Sequence, residues 1–191
     1  MARHSTGQAK ALSEAQQRAV LAVLTTPRER AMFLLSTKAA LRAIEIAGLR
    51  WRHVCDDALE LTRDITKGGK PRAVPLNRDL RAALDALRAE QQPAGDDVLL
   101  FPNRHLKGPK PMSPNAVAQW FRYLYRERMG WEGYSSHSGR RTAITAMARK
   151  ASLAGGSIRD VQQIAGHAGM NVTQRYIDGS TDAKRKLVDM I

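Results

Sequence analysis

The stretch between Leu59 and Leu76 constrains the fold more than any other part of the chain, because apolar and polar residues alternate on both sides of a Gly68-Gly69 pair. Such alternation predicts half-buried strands, and a Gly-Gly pair between two of them predicts a turn. The sequence therefore predicts a β-hairpin and a small antiparallel sheet. Its apolar positions are Leu59, Leu61, Ile65, Ala73, Val74 and Leu76.

Helical spacing of apolar residues fills most of the remaining chain. Ser13 and Gln16 form a capping-box pattern ahead of a helix that stops before Pro27. Further helices are predicted at about 28–38, 41–49, 78–91, 113–128, 140–150, 157–166 and 182–190. The expected fold class is α+β, mostly α, with one small antiparallel β-sheet.

The domain organisation follows from length and local composition. A chain of 191 residues has the usual size of a single domain, and 43% hydrophobic with 26% charged residues is a globular balance. Residues 1–11 are small, polar and basic, without periodicity. We expect a flexible basic N-terminal arm over residues 1–11 and one folded domain over residues 12–191.

The charge balance points to a polyanionic partner. Lys and Arg number 31 against 18 Asp and Glu, which gives a formal net charge of +13. A surplus of this size attracts nucleic acid, although a merely solvated basic surface is the alternative when charge is considered alone.

Several classes of protein are excluded or disfavoured by what the sequence lacks. A single cysteine, Cys55, excludes an internal disulfide and a Cys-x-x-Cys zinc site. Apolar runs of membrane-spanning length and the apolar core of a signal peptide are both missing, so we expect a cytoplasmic protein without a membrane partner. The sequence also has no phosphate-loop motif, no acidic cluster spaced for two metals and no His-Glu-x-x-His, so neither a cofactor nor a metal is expected.

Polar residues with chemical potential recur along the chain, and each has an ordinary structural explanation when considered alone. Arg42 and Glu45, three positions apart, match a common helical ion pair. A lone His137, His167 or Tyr176 is more often a packing residue than a catalytic one. Only their joint order along the chain argues for a site.

That joint order resembles the signature of the tyrosine recombinase, or phage integrase, family over about Leu12 to the C-terminus. The matching segments are Leu41-Arg42-Ala43-Ile44-Glu45, Thr66-Lys67-Gly68-Gly69-Lys70-Pro71-Arg72, His137-Ser138-Gly139-Arg140, Gly166-His167 and Tyr176. The resemblance implies the fold of a tyrosine recombinase catalytic domain. It also implies a site-specific DNA recombinase of the integrase or invertase type that cleaves and rejoins double-stranded DNA through a 3′-phosphotyrosyl intermediate.

The chemistry of a phosphodiester suits these residue types. Planar, permanently charged guanidinium groups clamp phosphate oxygens, which assigns Arg42 and Arg140 to the scissile phosphate, with His167 as a further donor. A tyrosine hydroxyl with a pKa near 10 needs help to act as a nucleophile, and His137 is the candidate base for Tyr176.

Two further roles complete the predicted site. By resemblance, Lys67 on the hairpin is the general acid for the leaving 5′-oxygen, with Lys70 as the second candidate. Glu45 lies too close to Arg42 to be an independent base and is expected to orient Arg42 or a neighbouring catalytic side chain.

The sequence departs from the family pattern in three places. Gly139 stands where leucine is common, Arg141 where histidine is common, and Ala39-Ala40 replaces a frequent Thr-Gly.

A separate N-terminal helical domain that completes a clamp around DNA is also usual in the family. The chain is therefore expected to be either a naturally short member or an excised catalytic domain.

The resemblance further implies a homo-tetramer on paired DNA sites. Two other functions remain open on the same fold. One is a non-catalytic DNA-binding regulator; the other is a type IB topoisomerase-like enzyme that relaxes DNA without exchanging partners.

Overall fold

A computed structural model of the chain describes residues 9–66, 68–104 and 106–169, together with residues 171, 173 and 189. Within these residues the chain forms the helices α1 (Glu14–Val23), α2 (Pro27–Thr37), α3 (Ala43–Gly48), α4 (Arg78–Gln91), α5 (Pro114–Tyr123), α6 (Ser136–Lys150) and α7 (Ile158–Ala165), and the strands β1 (Ala58–Leu61) and β2 (Arg72–Pro75). The predicted fold class, mostly α with one small antiparallel sheet, is confirmed.

The N-terminal part folds as its capping signals predict. The Gln16 backbone N–H donates to the Ser13 hydroxyl at 3.2 Å, and the Ser13 N–H donates to the Gln16 side-chain oxygen at 2.9 Å. Pro27 is the first residue of α2. A proline is tolerated there because the N–H groups of the first helical turn have no acceptor within the helix. Leu12, which precedes α1, is buried, and its N–H donates to the Thr142 hydroxyl at 2.7 Å.

The predicted hairpin is present, but Gly68-Gly69 does not close it as a tight turn. β1 and β2 pair antiparallel from Ala58 with Pro75 to Leu61 with Arg72, and the described residues 62–66 and 68–71 belong to neither strand. Ile65 leaves the strand pattern because its side chain packs directly on Gly48, where an added Cβ would come within 2.5 Å of it. The two glycines lie within the loop at positive φ.

Two hydrophobic clusters hold the elements together. The larger one is built from α1 to α5 and the sheet, with Trp51 buried in it and Trp120 and Trp131 partly buried against it. The smaller one joins α6 and α7 to the turn after α2 through Ala40, Ala143, Ile144, Val161 and Ala165. This second cluster fixes α7 against α6.

Helix boundaries near the site differ slightly from the sequence prediction. α6 begins at Ser136, so His137 lies inside its first turn rather than ahead of the helix. α5 continues as a π-helical segment, Leu124–Arg128, which matches the predicted extent of 113–128. α7 ends at Gly166, whose φ of 64° is left-handed.

Two predicted segments extend beyond the described residues. Residues 1–8 of the expected basic arm lie outside them, and so does the predicted helix at 182–190 apart from Asp189. None of the helices formed by the described residues is both long enough and apolar enough to cross a lipid bilayer.

Candidate active site

Arg42 is held at the start of α3 by its own helix and by the end of α7. Its backbone N–H donates to Oε2 of Glu45 at 2.8 Å, and its guanidinium donates to Oε1 of the same carboxylate at 3.0 Å. A second guanidinium nitrogen donates to the carbonyl oxygen of Gly166 at 3.2 Å. About 20% of the side chain is exposed, so this arginine can still meet a ligand.

The turn that delivers Arg42 explains one departure from the family pattern. Ala40 has a φ of 54°, a left-handed conformation that costs a residue with a Cβ about 1–2 kcal/mol. Glycine would adopt it without that penalty, so the common Thr-Gly suits the same turn. Ala40 is fully buried in the smaller cluster, and its methyl group contributes packing there.

Glu45 is fully buried and accepts from two arginines. Arg72 donates to it with both terminal nitrogens, at 2.8 Å and 2.9 Å, as a bidentate fork. Burial by itself raises the pKa of Glu45, but the hydrogen bonds and charges of Arg72 and Arg42 outweigh it and hold this pKa below its usual range. Glu45 is therefore an ionised partner of both arginines.

Arg140 lies almost entirely inside the protein, with 4% of the residue exposed. Its guanidinium donates to the carbonyl oxygen of Ala40 and, at 2.8 Å, to that of Ala165. The arginine thus joins α6, the turn before Arg42 and the end of α7.

The three arginines bind three consecutive carbonyl oxygens at the end of α7. Arg72 donates to Ile164 at 2.9 Å, Arg140 to Ala165 and Arg42 to Gly166. The last carbonyls of a helix have no partners within it and carry the negative end of its dipole. The carbonyl oxygens at the end of α7 therefore hold three guanidinium groups close together and offset part of their mutual repulsion.

His167 follows directly and has an imidazole that stays neutral. Its Nδ1 lies 2.9 Å from the hydroxyl of the buried Thr173. Burial, together with the charges of Arg140, Arg42 and Arg72, lowers the pKa of His167 from 6.5 to about 4. At neutral pH it can donate one hydrogen bond from Nε2, provided that the Thr173 hydroxyl donates to Nδ1.

His137 lies at the surface, one turn before Arg140 on the same face of α6. Ser135 caps this turn, and its hydroxyl accepts from the His137 backbone N–H at 3.3 Å. The remaining predicted residues, Lys67 and Tyr176, lie outside the described residues. Lys70 is exposed at the end of the hairpin loop, two residues before β2.

Arg72 is the member of this cluster that the sequence reasoning did not identify. It stands at an alternate position from Val74 on β2, and both side chains face inward. An arginine on the apolar face of a strand was the available signal, because a buried charge needs a partner. Only 9% of its side chain is exposed.

The arrangement suits an anion with several oxygen atoms. Three guanidinium groups, one carboxylate and a neutral imidazole converge around the end of α7, which leaves an excess of positive charge. Fixed donors of this kind stabilise charge on phosphate oxygens as it develops during a reaction. The geometry therefore fits phosphoryl transfer.

Comparison with known proteins gives a consistent picture. The model of the phage integrase family matches residues 8–182. Tyrosine recombinase XerC of Xylella fastidiosa is 31% identical over 151 residues, which cover 78% of this chain and 48% of the relative. Tyrosine recombinase XerA of Pyrococcus horikoshii is 25% identical over 180 residues, which cover 94% of this chain and 60% of the relative.

Solved structures share the fold. The crystal structure of XerA recombinase matches with a TM-score of 0.76 at 23% identity, over 94% of this chain and 64% of that chain. The Tn1549 transposon integrase in complex with a circular intermediate DNA matches with a TM-score of 0.74 at 18% identity, over 98% of this chain and 67% of that one. The chain thus spans about half to two thirds of the length of these proteins.

Proposed function

The chain belongs to the phage integrase family, and from this membership we propose that it is a site-specific DNA recombinase that works through a 3′-phosphotyrosyl intermediate at Tyr176. The observation that carries the proposal is the arginine cluster at the end of α7, where Arg42, Arg72 and Arg140 converge on consecutive carbonyl oxygens. Residues 12–191 would form the catalytic domain.

The cleavage step begins at the scissile phosphate. Arg42, the more exposed of the two predicted phosphate ligands, would donate to its non-bridging oxygens, with Arg140 behind it and Nε2 of His167 as a further donor. These groups offset the charge that spreads over the phosphate oxygens in the transition state.

The covalent bond forms as one phosphorus–oxygen bond replaces another. The Tyr176 oxygen attacks phosphorus while its proton passes to His137, and the bond to the 5′-oxygen breaks. Lys67 supplies the proton that the leaving 5′-oxygen takes. A 5′-hydroxyl of a second strand reverses the step, so the energy of the phosphodiester is conserved and no metal or nucleotide is consumed.

The proposed partner is double-stranded DNA, and the proposed assembly is a homo-tetramer on paired DNA sites in the cytoplasm. A net charge of +13 supports the DNA partner. A structural relative, XerH, has been solved bound to its difH DNA substrate. Tetramer formation on DNA, followed by recombinant product, would separate this function from that of a type IB topoisomerase-like enzyme.

A denaturing gel tests the proposal through covalent capture. The protein is incubated in EDTA with nicked duplexes from the DNA that flanks its own gene, so that the cleaved end diffuses away and the adduct accumulates. The wild type is expected to form an adduct, and Tyr176→Phe to form none while keeping its salt-sensitive DNA binding. Tyr123→Phe is the matched control, because Tyr123 is 55% exposed and lies outside the site.

Two outcomes would count against the proposal. An adduct that survives in Tyr176→Phe would remove the nucleophile assignment. DNA binding without any adduct in the wild type would favour a non-catalytic regulator on the same fold.

A further inference from the structure

The Glu45 carboxylate is shared by Arg42 and Arg72, and the two arginines differ in what else they can reach. One guanidinium nitrogen of Arg42 donates to Oε1, a second donates to the carbonyl oxygen of Gly166, and about one-fifth of the side chain is exposed. Arg72 grips both oxygens, is 9% exposed and uses its Nε on the carbonyl of Ile164. All three guanidinium nitrogens of Arg72 therefore donate within the protein, whereas Arg42 is the more exposed of the two.

The charges of these three groups determine what remains for a substrate. Two guanidinium groups and one ionised carboxylate sum to +1. Without Arg72 the sum would be zero, and of this pair only Arg42 would be left to neutralise a fully buried carboxylate. A buried charge that loses a partner binds its remaining one more tightly, because few water molecules are available to stabilise it.

We propose that Arg72 is a positioning residue that takes up the charge of Glu45 and so leaves the charge of Arg42 available for the substrate phosphate. This inference rests on the proposed strand-cleavage function and adds a residue that does not itself touch DNA. It also explains why an arginine is needed at this place: a bidentate fork matches both oxygens of a carboxylate while Nε remains directed at a third acceptor.

A purely structural role for Arg72 makes a different prediction. Arg72 links β2, α3 and the end of α7, so its loss would loosen the site whatever happens to the charge. Removing Glu45 in addition would then loosen it further. In the charge-sharing role, removing Glu45 from a protein that already lacks Arg72 releases Arg42 and improves the chemistry.

The test compares single-turnover cleavage rates of Arg72→Gln, Glu45→Gln and the double variant on the nicked duplex that the wild type cleaves. Arg72→Gln is expected to slow cleavage about 100-fold, which is the effect of displacing or neutralising one electrostatic donor. Glu45→Gln alone slows the wild type, since Arg42 loses its charged anchor. In the Arg72→Gln background, however, Glu45→Gln is expected to raise the cleavage rate about tenfold. A double variant as slow as Arg72→Gln, or slower, would overturn the inference.

A second substrate distinguishes an electrostatic role of Arg72 from a purely structural one without the double variant. A methylphosphonate at the scissile position has lost the negative charge that Arg42 offsets. Arg72→Gln is therefore expected to be much closer to the wild-type rate on this substrate than on the ordinary phosphodiester. Equal slowing on both substrates would assign Arg72 a structural role only.

Arg128 and Glu29 provide a matched control pair. They form a half-buried ion pair at 2.6 Å. Glu29 lies in the first turn of α2, whereas Arg42 follows the C-terminal end of that helix. Arg128→Gln is expected to lower the melting temperature without a selective loss on the charged substrate. If Arg72→Gln does not yield folded protein, the likewise neutral Arg72→Met with and without Glu45→Gln carries the same comparison, with the same expected sign.

The failure of this inference can be told apart from failure of the proposed function. A wild type that forms no Tyr176-dependent adduct would sink the function, and the inference with it. A wild type that cleaves, together with a double variant that gains nothing, would sink the inference alone.

Discussion

Gly166 and Arg72 lie so close together that a Cβ atom on Gly166 would come within 2.9 Å of the Arg72 guanidinium. Gly166 also ends α7 at a φ of 64°, where residues with a Cβ are strained. Its carbonyl oxygen is the one that accepts from Arg42. The glycine before His167 thus serves the geometry of two arginines at once.

The first prediction concerns Gly166→Ala. Backbone strain is expected to lower the free energy of unfolding by about 1–2 kcal/mol. The contact with Arg72 should add about 1–3 kcal/mol, because the new methyl group overpacks a close contact. Cleavage should fall together with stability, since Arg72 and Arg42 are displaced. Chemical denaturation and the single-turnover cleavage rate measure the two effects.

Gly155→Ala is the control for this change. Gly155 has a φ of 70°, but a Cβ added there would meet no atom within 4 Å. Gly155→Ala therefore has the same backbone strain as Gly166→Ala but no close contact with another side chain. If both variants lose the same stability and both keep cleavage, the contact between residue 166 and Arg72 has no functional weight.

Gly139 carries the second prediction. An added Cβ would lie 2.4 Å from the Ser36 hydroxyl and 3.1 Å from a Thr37 methyl group, so α2 and α6 approach closely only because residue 139 is glycine. Gly139→Ala is expected to cost about 1–3 kcal/mol of stability. The cost should be smaller in a Ser36→Gly background, because the nearest atoms are then gone. Strictly additive losses in a denaturation series would contradict this packing relationship.

The third prediction is the dependence of stability on pH. The pKa of His167 is near 6.5 in an unfolded chain and about 4 in the fold, so between these values the unfolded state binds more protons. Stability is therefore expected to fall as the pH is lowered through about 6.5 and on toward about 4. Melting curves should show a smaller fall for His167→Gln, which cannot titrate. Part of the fall should persist, because burial and nearby arginines also lower the pKa of His53.

The fourth prediction concerns the leaving group. Lys67→Ala should slow cleavage of an ordinary phosphodiester by about 100-fold, within the usual range for a general acid. A 5′-bridging phosphorothiolate has a leaving group that needs no proton, so the variant should cleave it at close to the wild-type rate. If both substrates are slowed equally, the acid is another group, and Lys70→Ala is the next variant to measure.

The sequence predicted much of the fold because its signals are local. The Ser13 capping box, Pro27 and the end of α7 at Gly166 each depend on a few neighbouring residues. The hairpin loop was less predictable. Ile65 continues the apolar alternation of β1 in the sequence, but it packs on Gly48 and lies outside the strand. This contact joins residues far apart in the sequence, so no local pattern predicts it.

The site shows the same division. Motif order indicated Arg42, Glu45, Arg140 and His167, and the structure brings these four together at the end of α7. Arg72 was missed because its role depends on a carboxylate 27 positions away. The roles of all six predicted catalytic residues and of Glu45 stay predictions, and Lys67 and Tyr176 lie outside the described residues.

The most direct measurement is to locate the covalent bond. The adduct formed on a nicked duplex in EDTA would be digested with nuclease and protease, and the peptide that carries the nucleotide identified by mass spectrometry. A 3′-nucleotide attached to Tyr176 is the predicted result. Attachment to Tyr123, Tyr125 or Tyr134, or to a residue other than tyrosine, would contradict the proposed chemistry.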